Sequence, residues 1–187
     1  MFIQTEATPN PATLKFLPGQ TVLETGTLDL REPADAAKSP LAERLFAIKG
    51  VNGVFFGSDF ITITKTDGGE WQQLKPAILG AIMEHFMSGA PLLRAGETSA
   101  MSDDEEFFEP ADADTVATIK DLIETRVRPA VANDGGDITF RGFKDGIVFL
   151  HMKGACSGCP SSTATLRHGI QNLLKHYVPD VVEVRPM

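Results

Sequence analysis

The chain contains few cysteines: Cys156 and Cys159 are the only two among 187 residues. Two cysteines cannot form a disulfide framework, so a close pair indicates metal or redox chemistry in a reducing compartment. Long apolar runs are also lacking, because no stretch approaches the roughly 18 residues that a membrane helix needs. The longest runs, such as ILGAIM, suit a core helix. We therefore expect a globular protein that does not enter a membrane.

Positive charge is scarce as well, and the formal net charge is −8. Phosphate binding needs a basic surface, so this charge argues against nucleic acid as a partner. The opening residues MFIQTEATPN lack the basic and apolar regions of a signal peptide and the Arg-rich character of a transit peptide. We therefore expect a chain that stays where it is made, or a mature form.

The negative charge is concentrated in residues 95–113, which hold seven acidic residues and no Lys or Arg. Such a segment repels itself and buries little apolar surface, which favours a flexible linker over a partner-recognition segment. Phe107 and Phe108 are candidate docking points within it. The predicted domains are residues 1–94 and 114–187, joined by this linker.

The predicted fold class is α+β, with the order ββαββα in the first domain and αββαβ in the second. Ser39 as an N-cap and Pro40 at the first helical position predict a helix start in the first domain. In the second domain, apolar spacing predicts a helix that ends at about Pro129. A turn at residues 144–146 joins the two strands that follow.

The cysteine pair falls on the loop between the second strand and the second helix of the C-terminal domain. Pro160 fits the first position of that helix, whose unpaired N–H groups and dipole favour negatively charged sulfur. Gly154 and Gly158 let a loop turn closely around an inorganic centre. Both thiolates are therefore expected to converge on one point.

Several kinds of site use a cysteine pair. Two buried apolar cysteines rarely occur on a Gly-rich turn, and a thioredoxin-like redox pair needs more chain than the 28 residues after Cys159. Structural zinc and cubane iron-sulfur clusters both take about four ligands. His151 and His168 could add to the count, although each is typical of an exposed polar position. A two-fold dimer would instead bring four thiolates together.

The motifs NDGGDI, MKGACSGCPSSTATLRHGI and VPDVVEV resemble the NifU-like C-terminal domain of Nfu proteins. FIQTEATPNPATLKFLPG and GVFFGSDFITITK resemble the Nfu N-terminal domain. The resemblance covers nearly all of the chain outside the acidic segment.

This resemblance implies a scaffold or carrier of iron-sulfur clusters rather than an enzyme. It implies a labile 4Fe-4S cluster, with 2Fe-2S as the alternative, that Cys156 and Cys159 of two subunits share and pass to apo-proteins. It also implies contacts with upstream assembly proteins, and an N-terminal domain that carries no cluster and serves partner recognition. A thiol-disulfide oxidoreductase and a zinc-bridged structural dimer remain as alternatives.

Two neighbouring polar segments have two interpretations each. Residues 161–163, Ser-Ser-Thr, cap the helix or donate hydrogen bonds to the sulfur atoms of the cluster. Residues 134–137, Asp-Gly-Gly-Asp, form a turn or position the cysteine loop.

Overall fold

The computed structural model describes residues 2–24, 26–95, 106–155 and 160–186. The chain divides into two compact units, residues 1–101 and 102–187. The predicted α+β class with two small domains is confirmed. The linker boundaries at residues 95 and 113 stay a prediction, since residues 96–105 of the acidic run lie outside the described residues.

The N-terminal unit is an antiparallel five-stranded sheet with strand order β1-β2-β5-β4-β3. Two helices and a 3-10 turn, Pro33–Lys38, complete it. The elements are β1 Gln4–Ala7, β2 Thr13–Leu17, β3 Leu28–Leu30, α1 Pro40–Phe46, β4 Val51–Phe56, β5 Ile61–Lys65 and α2 Trp71–Ser88.

Local sequence signals set the ends of both helices. Ser39 caps α1, because its hydroxyl oxygen accepts a hydrogen bond of 3.3 Å from the Ala42 N–H. Gly89 ends α2 in the left-handed conformation with φ of 70°, which costs glycine little. Pro76 lies inside α2. The helix start predicted at Ser39 and Pro40 is confirmed.

A single apolar cluster joins the N-terminal sheet to both of its helices. Strand residues such as Phe16, Phe56 and Ile63 share this cluster with Leu45 of α1 and Ile78 of α2. The sequence missed β3, which is only three residues long and lies at the edge of the sheet against β4. A strand this short has too few alternating positions for its period to be recognised.

The C-terminal unit follows the predicted order αββαβ. Its elements are α3 Ala113–Leu122, a π-helical turn Ile123–Val127, α4 Arg128–Asn133, β6 Gly136–Lys144, β7 Ile147–Gly154, α5 Pro160–Tyr177 and β8 Glu183–Pro186. The strand order is β6-β7-β8, with β6 antiparallel and β8 parallel to β7. None of the described helices is both long and apolar enough to cross a membrane.

The first helical stretch of this unit continues beyond Pro129, where the sequence analysis placed its end, to Asn133. Proline removes one N–H, and its ring crowds the carbonyl four residues earlier. The π-helical turn directly before α4 contains that crowded residue, Thr125. Because such a turn shifts the hydrogen-bond spacing, the chain passes the proline without ending the helix.

The turn between β6 and β7 is the predicted one. It contains Asp145 with φ of 52° and Gly146 with φ of 76°. Positive φ at both central residues is the geometry of a type I′ hairpin turn, for which Asp-Gly is a preferred pair. This turn sets the register that brings the end of β7 beside the start of β6.

Candidate functional site

The cysteine pair lies between the end of β7 and the start of α5. Cys156 and Cys159 fall outside the described residues, so their assignment as cluster ligands stays a prediction. The chain on both sides is described: β7 ends at Gly154 and α5 begins at Pro160, the predicted first helical position.

The residue before the pair is tied to the turn that follows α4. Ala155 is 2% exposed, and its N–H donates a 3.2 Å hydrogen bond to the Gly135 carbonyl. Gly135 and Gly154 both have positive φ, 81° and 66°, which a side chain would disfavour. Gly136 pairs with Gly154 in the sheet. The Asp-Gly-Gly-Asp segment is thus a turn that also contacts the start of the cysteine segment.

A buried carboxylate fixes the second end of this turn. Asp137 is 4% exposed and accepts two hydrogen bonds from Arg128, from Nε at 2.9 Å and from the terminal nitrogen Nη2 at 3.0 Å. Its Oδ1 also accepts the Ile138 N–H at 2.8 Å. This two-pronged geometry is the strongest form of Arg-carboxylate pairing. It joins the start of α4 to the start of β6.

Glu124 forms the outer part of the same ion-pair network. Its carboxylate accepts hydrogen bonds of 3.0 and 2.8 Å from Nη1 of Arg128. The hydrogen bonds to Asp137 first, and those to Glu124 next, raise the pKa of Arg128 above its ordinary value, while partial burial opposes this shift. The guanidinium therefore stays charged at neutral pH.

The sequence analysis did not identify Arg128. A signal was present, because Arg128 lies four residues after Glu124 and nine residues before Asp137. The helical spacing of Glu124 and Arg128 predicts an i,i+4 pair, but the pairing with Asp137 depends on the turn that reverses the chain. Only the folded chain brings these groups together.

The two candidate histidine ligands lie on different elements. His151 is half-buried in β7 opposite Thr139, and His168 is exposed on α5. Across the described ranges, no three side chains among His, Cys, Asp and Glu form a group that could hold a metal ion. Cys156 and Cys159 lie outside these ranges and remain the predicted ligands.

The chemistry of that donor set fits an iron-sulfur cluster. Thiolate sulfur is the usual protein ligand of such clusters. The pair directly precedes the N-terminus of the 18-residue helix α5, where unpaired N–H groups and the helix dipole favour negative charge. The fold and the sequence together define a two-domain protein with a cysteine pair at a strand-to-helix connection.

Comparison with known proteins gives the family. Residues 3–89 match the family model "Scaffold protein Nfu/NifU N terminal", and residues 119–185 match "NifU-like domain". The chain belongs to the Nfu/NifU family, as its motifs predicted. The two matched ranges correspond to the two structural units, with the acidic run between them.

Curated relatives share about half of the sequence. The chain is 52% identical over 182 residues to the human "NFU1 iron-sulfur cluster scaffold homolog, mitochondrial", covering 97% of this chain and 70% of that protein. It is 51% identical over 183 residues to "NifU-like protein 4, mitochondrial" of Arabidopsis thaliana, covering 97% and 64%. The chain therefore spans about two thirds of the length of these relatives.

One solved structure aligns with part of the chain. The solution structure of a NifU-like protein from Saccharomyces cerevisiae superimposes with a TM-score of 0.46 and 25% identity. The match covers 52% of this chain and 87% of that one.

Proposed function

We propose that this protein carries an iron-sulfur cluster as cargo, held by Cys156 and Cys159 of two copies of the chain, and delivers it to apo-proteins. The proposed cargo is a 4Fe-4S cluster, with 2Fe-2S as the alternative. The names of the relatives, which describe iron-sulfur cluster scaffolds, support the general role. The shared site is inferred from the cysteine count of this chain, and the cluster type from the resemblance of its motifs to the Nfu family.

The single observation behind the shared site is the ligand count. The whole chain contains two cysteines, and a cluster with four iron atoms takes about four thiolates. A two-fold dimer doubles the number of ligands without any further residue type. Cluster binding is then coupled to self-association, because metal binding contributes free energy only to the dimer.

The proposed site favours transfer over catalysis. A cluster held by two thiolates from each subunit is open to attack by a thiolate of a recipient protein. Each exchange forms one iron-sulfur bond to the recipient and breaks one to the carrier, so the cluster moves without net oxidation or reduction. The described contacts hold Ala155 in place, which supports a fixed entry to the cysteine segment.

The proposed partners are upstream assembly proteins that supply the cluster and apo-proteins that receive it. We assign recognition of these partners to the N-terminal unit, which has no cysteine. Since the names of the relatives include "mitochondrial", the proposed compartment is the mitochondrial matrix, or the cytoplasm for a bacterial protein. In either compartment the thiols would remain reduced.

Anaerobic reconstitution with iron and sulfide, followed by native mass spectrometry, tests this function. Wild-type protein should shift from monomer to a dimer with four irons and develop a brown colour, and a chelator should return monomers. Cys156→Ser and Cys159→Ser should each lose the cluster and keep the fold, whereas Ser157→Ala, which keeps both thiols, should retain it.

Four results would contradict the proposal. Four irons on a species of single-chain mass would mean that other ligands complete the site. Stoichiometric iron in either cysteine variant would exclude that residue as a ligand. A colourless dimer with bound zinc, or a colourless monomer with disulfide exchange activity, would support one of the two alternative functions.

A further inference from the structure

The outer edge of β6 is covered by residues from the acidic run. β6 lies at one edge of its sheet, and Phe107 forms an isolated parallel bridge with Gly142. The Phe107 N–H donates to the Arg141 carbonyl at 3.1 Å, and the Phe107 carbonyl accepts from the Phe143 N–H at 2.9 Å. A sheet edge offers such groups to any extended segment. Here, a short segment of the same chain uses them.

Gly142 provides the space for the aromatic ring of this segment. A Cβ atom at Gly142 would lie 2.4 Å from Cζ of Phe107, so any larger residue would collide with the ring. The glycine does not have positive φ, which means that space rather than backbone conformation requires it. The Phe107 ring extends over the glycine to Phe149, with 5.2 Å between ring centroids. Aromatic residues commonly cover a strand glycine in this way.

A charged contact lies beside the ring. Both carboxylate oxygens of Glu106 accept hydrogen bonds from Nζ of Lys120 on α3, at 2.9 and 2.8 Å. We call the combination of Lys120, Gly142, Phe149 and the backbone groups of Arg141 and Phe143 the β6 slot. It accepts an extended segment in which an acidic residue directly precedes an aromatic one.

The segment that fills the slot is only partly covered. Phe107 keeps 38% of its surface exposed, and the neighbouring Phe108 keeps 40%. The ion pair of Glu106 and Lys120 lies at the surface, where solvent and salt weaken it. A competing segment with the same chemistry would therefore displace Glu106 and Phe107 without disturbing the buried core.

We propose that the β6 slot is a docking site for an extended segment of a partner protein that carries an acidic residue followed by an aromatic one. Glu106 and Phe107 occupy the slot until that segment displaces them. In such β-strand addition, main-chain hydrogen bonds supply affinity, and a side-chain pocket supplies specificity. The proposal does not depend on cluster binding, since every group in the slot belongs to the described residues 106–149.

The test measures binding of a fluorescent peptide with the sequence of residues 102–112, SDDEEFFEPAD, to the full-length chain. The Phe107→Ser chain should bind this probe at least about tenfold more tightly than wild type, because the internal competitor is weakened. Phe108→Ser is the matched control and should behave as wild type. Gly142→Ala added to Phe107→Ser should abolish binding, since the methyl group fills the slot.

Changes to the probe provide a second measurement, in which all peptides are compared on the same Phe107→Ser chain. A peptide carrying Phe107→Ser should not bind, and one carrying Phe108→Ser should bind as the original. Equal affinity of the wild-type and Phe107→Ser chains, or binding unaffected by Gly142→Ala, would overturn the proposal. Self-association of wild type that the peptide reverses would identify a second copy as the occupant and overturn the assignment to a different partner.

Discussion

The two units bury polar side chains in different ways. In the N-terminal unit, buried Asn10 and Ser39 bond to close neighbours in the chain: Asn10 accepts the Ala12 N–H at 3.0 Å, and Ser39 accepts that of Ala42. In the C-terminal unit, buried Asp137 pairs with Arg128, on the other side of a turn. The first unit uses buried polar groups to shape local turns, or to pair neighbouring strands as buried Thr13 and Lys15 do with Thr64 and Glu6. The second unit uses one to join a helix to a strand.

This difference indicates that side-chain placement matters most at the Asp-Gly-Gly-Asp turn of the C-terminal unit. Buried ion pairs add little net stability, because desolvation offsets attraction, yet breaking one is costly. The Arg128–Asp137 pair lies at the same turn whose Gly135 carbonyl holds Ala155. We infer that the pair serves mainly to position the start of the cysteine segment. A change to it should therefore affect cluster retention as well as stability.

Separating the two units should have the largest effect on cluster content. Residues 106–187 alone should bind iron and sulfide with the stoichiometry of the full chain, because they contain both cysteines. Residues 1–94 alone should bind none. Iron and sulfide analysis of each fragment after anaerobic reconstitution measures this. A C-terminal fragment that folds, as judged by circular dichroism, but binds no cluster would show that the units cooperate.

Ile78→Ala should weaken the N-terminal unit alone. Ile78 is 0% exposed on α2, and truncating such a residue costs about 2 to 5 kcal/mol through lost burial and a cavity. Thermal unfolding should show one unit destabilised, with cluster content unchanged. Met87→Ala, on the exposed side of the same helix, should change stability by less than about 0.5 kcal/mol. Loss of the cluster from the Ile78 variant would contradict the independence of the units.

Asp137→Asn should weaken the C-terminal unit and its hold on the cluster. Losing the paired carboxylate should cost about 1.5 to 3 kcal/mol, the range for hydrogen bonds to charged groups. Glu124→Gln is the control, because this exposed carboxylate binds the same arginine and should contribute at most about 1 kcal/mol. Chemical denaturation gives the stability, and the rate of cluster loss to a chelator gives the positioning effect.

An unchanged rate of cluster loss in the Asp137→Asn variant, despite the lower stability, would limit the ion pair to a structural role. A faster rate in Glu124→Gln, without a loss of stability, would assign the effect to surface charge instead.

The smallest expected effect is a dependence of the stability of the N-terminal unit on pH. His85 is 1% exposed on α2, and burial first, then the charge of Arg44, lowers its pKa. The unfolded chain binds a proton there more readily than the folded one, so stability should fall as pH drops through about 6.5. Unfolding of wild type and His85→Gln between pH 7.5 and 5.5 should show a shallower slope for the variant. Equal slopes would exclude His85 as the cause.

The order of elements was largely predictable, because local chemistry determines it. Ser39 and Pro40 begin a helix through capping, Asp145 and Gly146 accept positive φ, and Pro160 begins α5. The motifs around the cysteines also indicated the family correctly. Each of these signals acts within a few residues, where the sequence is sufficient to specify the conformation.

Contacts between distant residues were not predictable in the same way. The strand β3 exists because β4 lies beside it, and the helix passes Pro129 through a π-helical turn. Phe107 fills the space above Gly142, 35 positions further along the chain. The sequence by itself determined the local elements and the presence of the cysteine pair. The tertiary structure alone decided which side chains meet, because packing and buried charge pairing depend on residues that only folding brings together.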